Sequence, residues 1–264
     1  MTASPSTRRI RVGVQMQPQH TTYPSYMEAV HRFESMGVDT LWDWDHFFPL
    51  SGNPQGNHYE GWTLLTAMAA STQRVEVGCL VTCNTYRNPA LLSNMAKTVD
   101  HISNGRLILG IGAGWFERDY SEYGYEFGTA GSRLDALERS IEIIKQRWAV
   151  DVPKPLRPIP ILIGGGGEKK TLRIAAKHAN MTHFFADVAT FTHKMAVLDS
   201  WCAEFHRNPH EIERVCSVSH LTSDAERDDY VAAGASHFTL GMSGTWNYDA
   251  IADLVRWRDS RNSK

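Results

Sequence analysis

The stretch Ile161-Leu-Ile-Gly-Gly-Gly-Gly-Glu-Lys-Lys-Thr-Leu172 holds a complete structural unit. Three branched apolar residues make a strand-sized run, four consecutive glycines break it, and a helical pattern follows as far as His178. A strand that turns tightly into a helix is half of a parallel βαβ crossover. Glycine loses more backbone freedom on folding than any other residue, so four together call for a compensating contact. Free amides at a helix start attract anions, and bare glycine backbone lets a phosphate approach closely. The stretch therefore predicts a phosphate cradle at Gly165, Gly166 and Gly167, with Lys169, Lys170 or Thr171 adding a charge or a hydroxyl. The alternative is a plain flexible turn. No Gly-Lys-Ser/Thr triplet occurs, which argues against nucleoside triphosphate hydrolysis.

The same strand-then-helix pattern recurs in both directions from this point. Strands are predicted at residues 10–16, 38–42, 75–81, 106–110, 159–163, 181–185, 215–219 and 235–240. Helices are predicted at 25–36, 62–71, 89–103, 132–148, 169–178, 190–206, 224–233 and 248–258. In the longest, Leu134, Leu137, Ile141, Ile144 and Trp148 fall on one face. Eight βα units in unbroken order predict an α/β fold, a single-domain (β/α)₈ TIM barrel closed by right-handed crossovers. A doubly wound open sheet is the runner-up. Residues 1–9 are expected to form a disordered tail and residues 10–264 the barrel. The proline run Asp151-Val-Pro-Lys-Pro-Leu-Arg-Pro-Ile-Pro160 reads as a loop, since it flows directly into a strand.

Composition narrows the function. Of 264 residues, 27 are Lys or Arg and 29 Asp or Glu, a formal net charge of −2 that offers no electrostatic footprint for nucleic acid or an anionic membrane. A hydrophobic content of 42% with 10% aromatics excludes intrinsic disorder. No apolar run reaches the roughly 20 residues of a membrane span, and the polar start lacks a signal-peptide pattern. A cytoplasmic protein with a small-molecule substrate is expected. Cys79, Cys83, Cys202 and Cys216 include no Cys-x-x-Cys pair, so buried thiols fit better than disulfides or zinc.

In a barrel of this kind chemistry sits at the C-terminal strand tips. The first strand ends with Gln15 and Gln17, expected in the substrate pocket. The second ends in Asp43-Trp-Asp-His46, the densest titratable cluster in the chain. His46 has the residue chemistry of a proton donor and acceptor, and Asp45 or Asp43 would fix its tautomer. A metal reading of Asp43, Asp45 and His46, with His58 or His220, needs convergent ligands; no metal is predicted. The fourth strand runs into Leu109-Gly-Ile-Gly-Ala-Gly-Trp-Phe-Glu117, whose G-x-G-x-G spacing is not the dinucleotide fingerprint but admits a flat ring to the backbone. Trp44 and Trp115 are expected to wall the pocket. Trp62, inside a helical pattern, is expected to pack in the core.

Five motifs in order resemble the bacterial luciferase-like family, in its branch that uses the deazaflavin coenzyme F420. They are Asp45-His-Phe47, Tyr86-Arg-Asn-Pro-Ala90, Asp100-His-Ile-Ser-Asn-Gly-Arg106, Leu109-Gly-Ile-Gly-Ala-Gly-Trp115 and Ile163-Gly-Gly-Gly-Gly-Glu-Lys-Lys-Thr-Leu172. The resemblance spans residues 11–257. It implies a TIM barrel holding the deazaflavin at the strand tips. Leu80 and Val81 would form the bulge, often a non-prolyl cis peptide, that supports the ring. Asp45, Gly112 and Gly114 would contact the coenzyme, Gly165, Gly166 and Gly167 would bind its phosphate, and His46 would stand beside the reactive carbon. Sugar-phosphate dehydrogenases of this branch carry Glu directly after the strand-four glycines. Here that position is Trp115, and Glu117, two residues on, is expected as a catalytic residue beside His46 and Asp45. The stretch between Trp148 and Ile159 is also shorter than is usual in the family. The implied activity is F420-dependent hydride transfer with a small organic substrate. An FMN-dependent monooxygenase and a non-catalytic cofactor-binding barrel are the alternatives, and a homodimer is compatible with the family.

Overall fold

A computed structural model describes residues 8–263, so the first seven residues of the expected tail lie outside the described residues. The strands are β1 (Arg11–Gln17), β2 (Thr40–Asp43), β3 (Glu76–Cys79), β4 (Thr82–Cys83), β5 (Leu107–Gly112), β6 (Ile161–Gly164), β7 (Met181–Phe184), β8 (Glu213–Val218) and β9 (His237–Ser243). The helices are α1 (Tyr23–Ser35), α2 (Gly61–Ser71), α3 (Pro89–Ile102), α4 (Glu117–Tyr123), α5 (Ala130–Val150), α6 (Thr171–His178), α7 (Val188–Glu204), α8 (Asp224–Ala232) and α9 (Tyr248–Asn262).

Every strand pairing is parallel, in the order β3-β2-β1-β9-β8-β7-β6-β5-β4, and β3 also pairs with β5. That last pairing closes the sheet. β3 and β4 are two pieces of one stave, so the barrel has eight staves, as the alternation predicts. The strand expected over 75–81 is interrupted at Leu80–Val81, whose peptide bond is cis.

Side chains on each stave divide between the barrel interior and the helix layer. On β1, Val12, Val14 and Met16 are wholly buried in the main core that packs the sheet against the helices. A second cluster of Trp42, Leu80, Ile108, Leu162, Met181 and Val215 fills the interior. The strand starts close the opposite end with charge. Arg11 bridges Glu76 and Glu213, Arg157 reaches Glu76 at 2.6 Å, and His237 Nε2 lies 2.8 Å from Thr40 Oγ1. One end of the barrel is thus plugged, and the other is open.

Most helices begin on a side chain that accepts from their first free amides. Thr22, Glu60, Asn88, Thr129, Asp187, Ser223 and Asn247 cap α1, α2, α3, α5, α7, α8 and α9. α4 and α6 have no side-chain cap. Helix α5 runs two residues further at each end than its apolar face predicts, because a Thr129–Ser132 capping box starts it earlier. Helix α4 has no counterpart in the sequence reading. The proline run is a pinned loop: Leu156 N donates to Asp100 Oδ2 at 2.8 Å.

Candidate active site

A cavity of about 1040 Å³ opens at the C-terminal strand tips, the size range of a cofactor site. Gln15, Gln17, Trp44, Asp45, His46, Leu80, Val81, Gly112, Gly114, Trp115, Gly165, Gly166 and Gly167 all line it, as the sequence predicts. The structure brings together side chains from loops far apart in the chain.

His46 sits half-buried in this wall. Its Nδ1 lies 2.7 Å from Asp119 Oδ2, an acid on α4 that the sequence reading passed over. Asp119 is fully buried; the Tyr86 hydroxyl donates to it at 2.9 Å and the Phe47 amide at 3.1 Å. With Nδ1 taken, Nε2 is the nitrogen left for a ligand in the cavity. The His46 ring meets Trp44, Trp115 and Phe116 edge-on, with centroids 5.5, 6.0 and 5.7 Å away. Trp44 in turn donates Nε1 to His58 Nε2 at 3.1 Å. Burial pulls the His58 imidazole down to about 4, and His46 nearby adds to the shift.

The carboxylate bonded to His46 Nδ1 is therefore Asp119, and not Asp43 or Asp45. Asp45 is buried and engaged elsewhere. Arg87 grips it with both terminal nitrogens at 2.6 and 2.9 Å, and Cys83 N donates to it at 2.9 Å. Burial pushes the Asp45 carboxyl up against these partners. Arg87, which also reaches Glu60 at 2.5 Å, is raised by the same carboxylate although burial opposes it. Asp43 is buried in register with Cys79, outside the cavity lining, and burial holds its carboxyl well above the usual range. Both Asp43 carboxylate oxygens are buried without a hydrogen-bond partner, Asp45 is held by Arg87 and His46 by Asp119. Among the described residues the one His/Cys/Asp/Glu group with suitable spacing is Glu138, Glu142 and His178 on the outer helices, where Lys177 bonds both carboxylates.

Two further expectations are corrected. Glu117 is exposed on the first turn of α4 and does not line the cavity. An α-helix turns about 200° in two residues, so the step from 117 to 119 moves a side chain from solvent to the site. Lys169 is likewise exposed and outside the lining. The cation at the glycine loop is Lys194 of α7, with Nζ 2.6 Å from Gly166 O.

The glycines form a cradle whose shape leaves no room for side chains. A Cβ on Gly112 would stand 2.7 Å from Val81 Cγ2, and one on Gly164 2.8 Å from Val81 Cγ1. Gly165 has φ +118°, a backbone state that L side chains rarely adopt. Gln15 Nε2 donates to Leu80 O at 2.6 Å and fixes the other edge of this floor. Beyond the glycines, α6 starts without a side-chain cap, and its Leu172 amide donates to Gly167 O at 2.9 Å. Val81 and the strand-tip glycines line one side of the cavity and the glycine loop lines another.

Arg133 also lines the cavity, with Nε donating to Gly114 O at 3.1 Å, and like Lys194 it carries no local motif. Tyr86 and Arg87 lay inside a quoted motif without an assigned role. The four cysteines are buried and free, and Trp62 is in the core. Among the described residues no helix is long and apolar enough to cross a membrane.

Comparison with known proteins places this geometry. An F420-dependent glucose-6-phosphate dehydrogenase of Amycolatopsis mediterranei is 30% identical over 189 residues, 64% of this chain and 54% of that protein. The chain thus spans about half the length of that relative. A pyrimidine monooxygenase, RutA, of Serratia proteamaculans is 31% identical over 107 residues, 40% of this chain and 26% of that protein. Among solved structures, an F420-dependent secondary alcohol dehydrogenase in complex with an F420-acetone adduct matches with a TM-score of 0.83 at 16% identity, covering 94% of this chain and 98% of that one. The coenzyme F420-dependent tetrahydromethanopterin reductase of Methanopyrus kandleri matches with a TM-score of 0.75 at 15% identity, covering 93% and 97%. At such identities these structures show a shared fold. A family model described as luciferase-like monooxygenase matches residues 7–263, and with that match over nearly its whole length the chain belongs to the luciferase-like family.

Proposed function

We propose that this protein is an F420-dependent oxidoreductase acting on a small organic substrate, with His46 as the proton donor or acceptor. One observation carries the reading: a histidine at the cavity wall, its Nδ1 locked 2.7 Å from a buried carboxylate and its other nitrogen left for a ligand. The similarity to F420-dependent dehydrogenases supports the choice of coenzyme.

The residues fit such a coenzyme. Gly165, Gly166 and Gly167, the α6 amides and Lys194 would hold its phosphate. Val81, seated among Gly112 and Gly164, would back the ring. When bound, the deazaflavin supplies a two-electron hydride acceptor or donor. The proton that accompanies the hydride would be given or taken at His46 Nε2. Asp119 keeps the proton of neutral His46 on Nδ1 and steadies the cation that forms when Nε2 is protonated. Trp44 and Trp115 narrow the water access to that nitrogen. Asp45 and Arg87 hold the backbone that carries β4.

Titrating the protein with F420 and with FMN, followed by coenzyme fluorescence, is the direct test. Saturable binding of F420, with turnover abolished in His46→Ala while binding persists, is expected. No binding of F420 sinks the reading. A flavin-dependent monooxygenase is the second reading, favoured by the stretch similar to RutA; tight FMN binding with oxygen consumption would establish it instead.

A further inference from the structure

A second histidine lines the cavity, and the reaction described above gives it no task. His183 stands near the end of β7, in register with Gly164 of β6, and both face the cavity. Gly165 N donates to His183 O at 2.8 Å, which ties this histidine to the glycine loop. Since a Cβ on Gly164 would meet Val81, the three residues Val81, Gly164 and His183 form adjacent parts of one floor. The imidazole meets Phe185 edge-on, with centroids 5.2 Å apart.

The hydroxyl protons of this wall settle which ring nitrogen of His183 carries the hydrogen. Thr239 Oγ1 donates to Cys216 O at 3.2 Å, which uses its one proton. Ser217 Oγ, 3.3 Å from Thr239 Oγ1, therefore donates to it. Ser217 is left to accept, so His183 Nε2, 2.8 Å away, carries the N–H. Burial lowers the imidazole to about 4, so the ring is neutral near pH 7 and Nδ1 keeps a bare lone pair. Among the described residues Nδ1 has no hydrogen-bond partner, and it is not sealed from solvent.

We infer that His183 binds the coenzyme ring, accepting at Nδ1 the imide N–H of its pyrimidine end. The inference rests on the coenzyme reading above and adds one contact to it. Flavin and deazaflavin rings alike end in an imide, one N–H between two carbonyls. A bare imidazole nitrogen attracts that N–H, whereas a protonated one would attract a carbonyl instead. The Ser217 and Thr239 hydroxyls, by fixing the tautomer, thus select how the ring enters the cavity. An N–H buried without an acceptor costs affinity, so a ring seated on this floor needs such a group.

Two ligand pairs test it: lumiflavin and deazalumiflavin, each beside its form methylated at the imide nitrogen. Binding is followed by ligand fluorescence in the wild type, His183→Phe and His183→Asn. Methylation is expected to weaken binding about 10-fold in the wild type and not in His183→Phe, which keeps the bulk without the acceptor. His183→Asn, whose Oδ1 can take the place of Nδ1, is expected to restore the discrimination. The wild type also gives a readout that needs no variant. Its His183 Nδ1 is expected to show the nitrogen-15 NMR shift of a bare imidazole nitrogen, and to move with the N–H ligand but not with the methylated one. A protonated Nδ1, or discrimination that survives in His183→Phe, overturns the inference. Binding of the flavin pair in place of the deazaflavin pair defeats the F420 reading and leaves this contact standing, because both rings carry the imide. Absence of binding by all four ligands overturns both.

Discussion

His46 and Asp119 lie 73 positions apart in the chain, on loops that follow different staves, and meet through a 2.7 Å bond from imidazole Nδ1 to a fully buried carboxylate. The carboxylate carries three bonds at once, so His46 is oriented by a group that is itself fixed. Asp119→Asn keeps the shape but can donate to Nδ1, which favours the wrong tautomer. Turnover is expected to fall about 100-fold with coenzyme affinity unchanged. Steady-state rates beside a fluorescence titration check both halves; equal loss in the two would assign Asp119 a structural role only.

Arg87 ties two acids, one of them wholly buried. Arg87→Met removes the charge and leaves Asp45 without its cation, at a cost of about 3–5 kcal/mol. For a chain of this size that corresponds to a fall of about 10 °C in Tm. Calorimetry measures it. Arg87→Met combined with Asp45→Asn should recover part of the loss, and no recovery would show that the pair is not the source.

Gly165 adopts φ +118° beside Thr171, whose Cγ2 lies 3.1 Å from where a Cβ would stand. Gly165→Ala is expected to cost about 1–3 kcal/mol in strain. If the loop holds the phosphate as proposed, binding weakens more for F420 than for a deazaflavin lacking the phosphate. Equal weakening for both ligands would place the phosphate elsewhere.

His183 is buried, donates one bond to Ser217 Oγ at 2.8 Å, and burial lowers its imidazole to about 4. The folded state therefore refuses a proton that the unfolded chain takes up below its ordinary value near 6.5. Stability from this group is complete above that value and declines as the pH falls towards 4. Between pH 7 and pH 5 the loss is about 2 kcal/mol. Urea titrations at the two pH values should show it, and His183→Gln should remove that part of the slope.

The barrel was legible because each βα unit announces itself locally: an apolar run, a glycine or cap, then a helical face. Gly165, Gly166 and Gly167 were legible for the same reason. The break after Cys79 could not be located by composition, since Leu80 and Val81 are as apolar as the strand they interrupt. Glu117 stands next in sequence to Trp115 and Phe116, but α4, too short to show an amphipathic period, turns it to solvent and Asp119 inward. Lys194 lies 28 residues beyond the carbonyl it reaches, whereas Lys169 is adjacent in sequence and points away from the cavity lining. Residues that act through long-range contacts, such as Asp119 and Lys194, leave no periodic trace.

The cavity takes its walls from β1 and β2 on one side and from β6 and β7 across the ring. Whatever fills it is therefore a cross-brace between staves that share no hydrogen bonds. Such a ligand resists separation of the two halves of the barrel, and at about 100 times its Kd it should add about 2.7 kcal/mol to the stability. Melting the protein against a panel of coenzymes would then identify its natural occupant before any substrate is known.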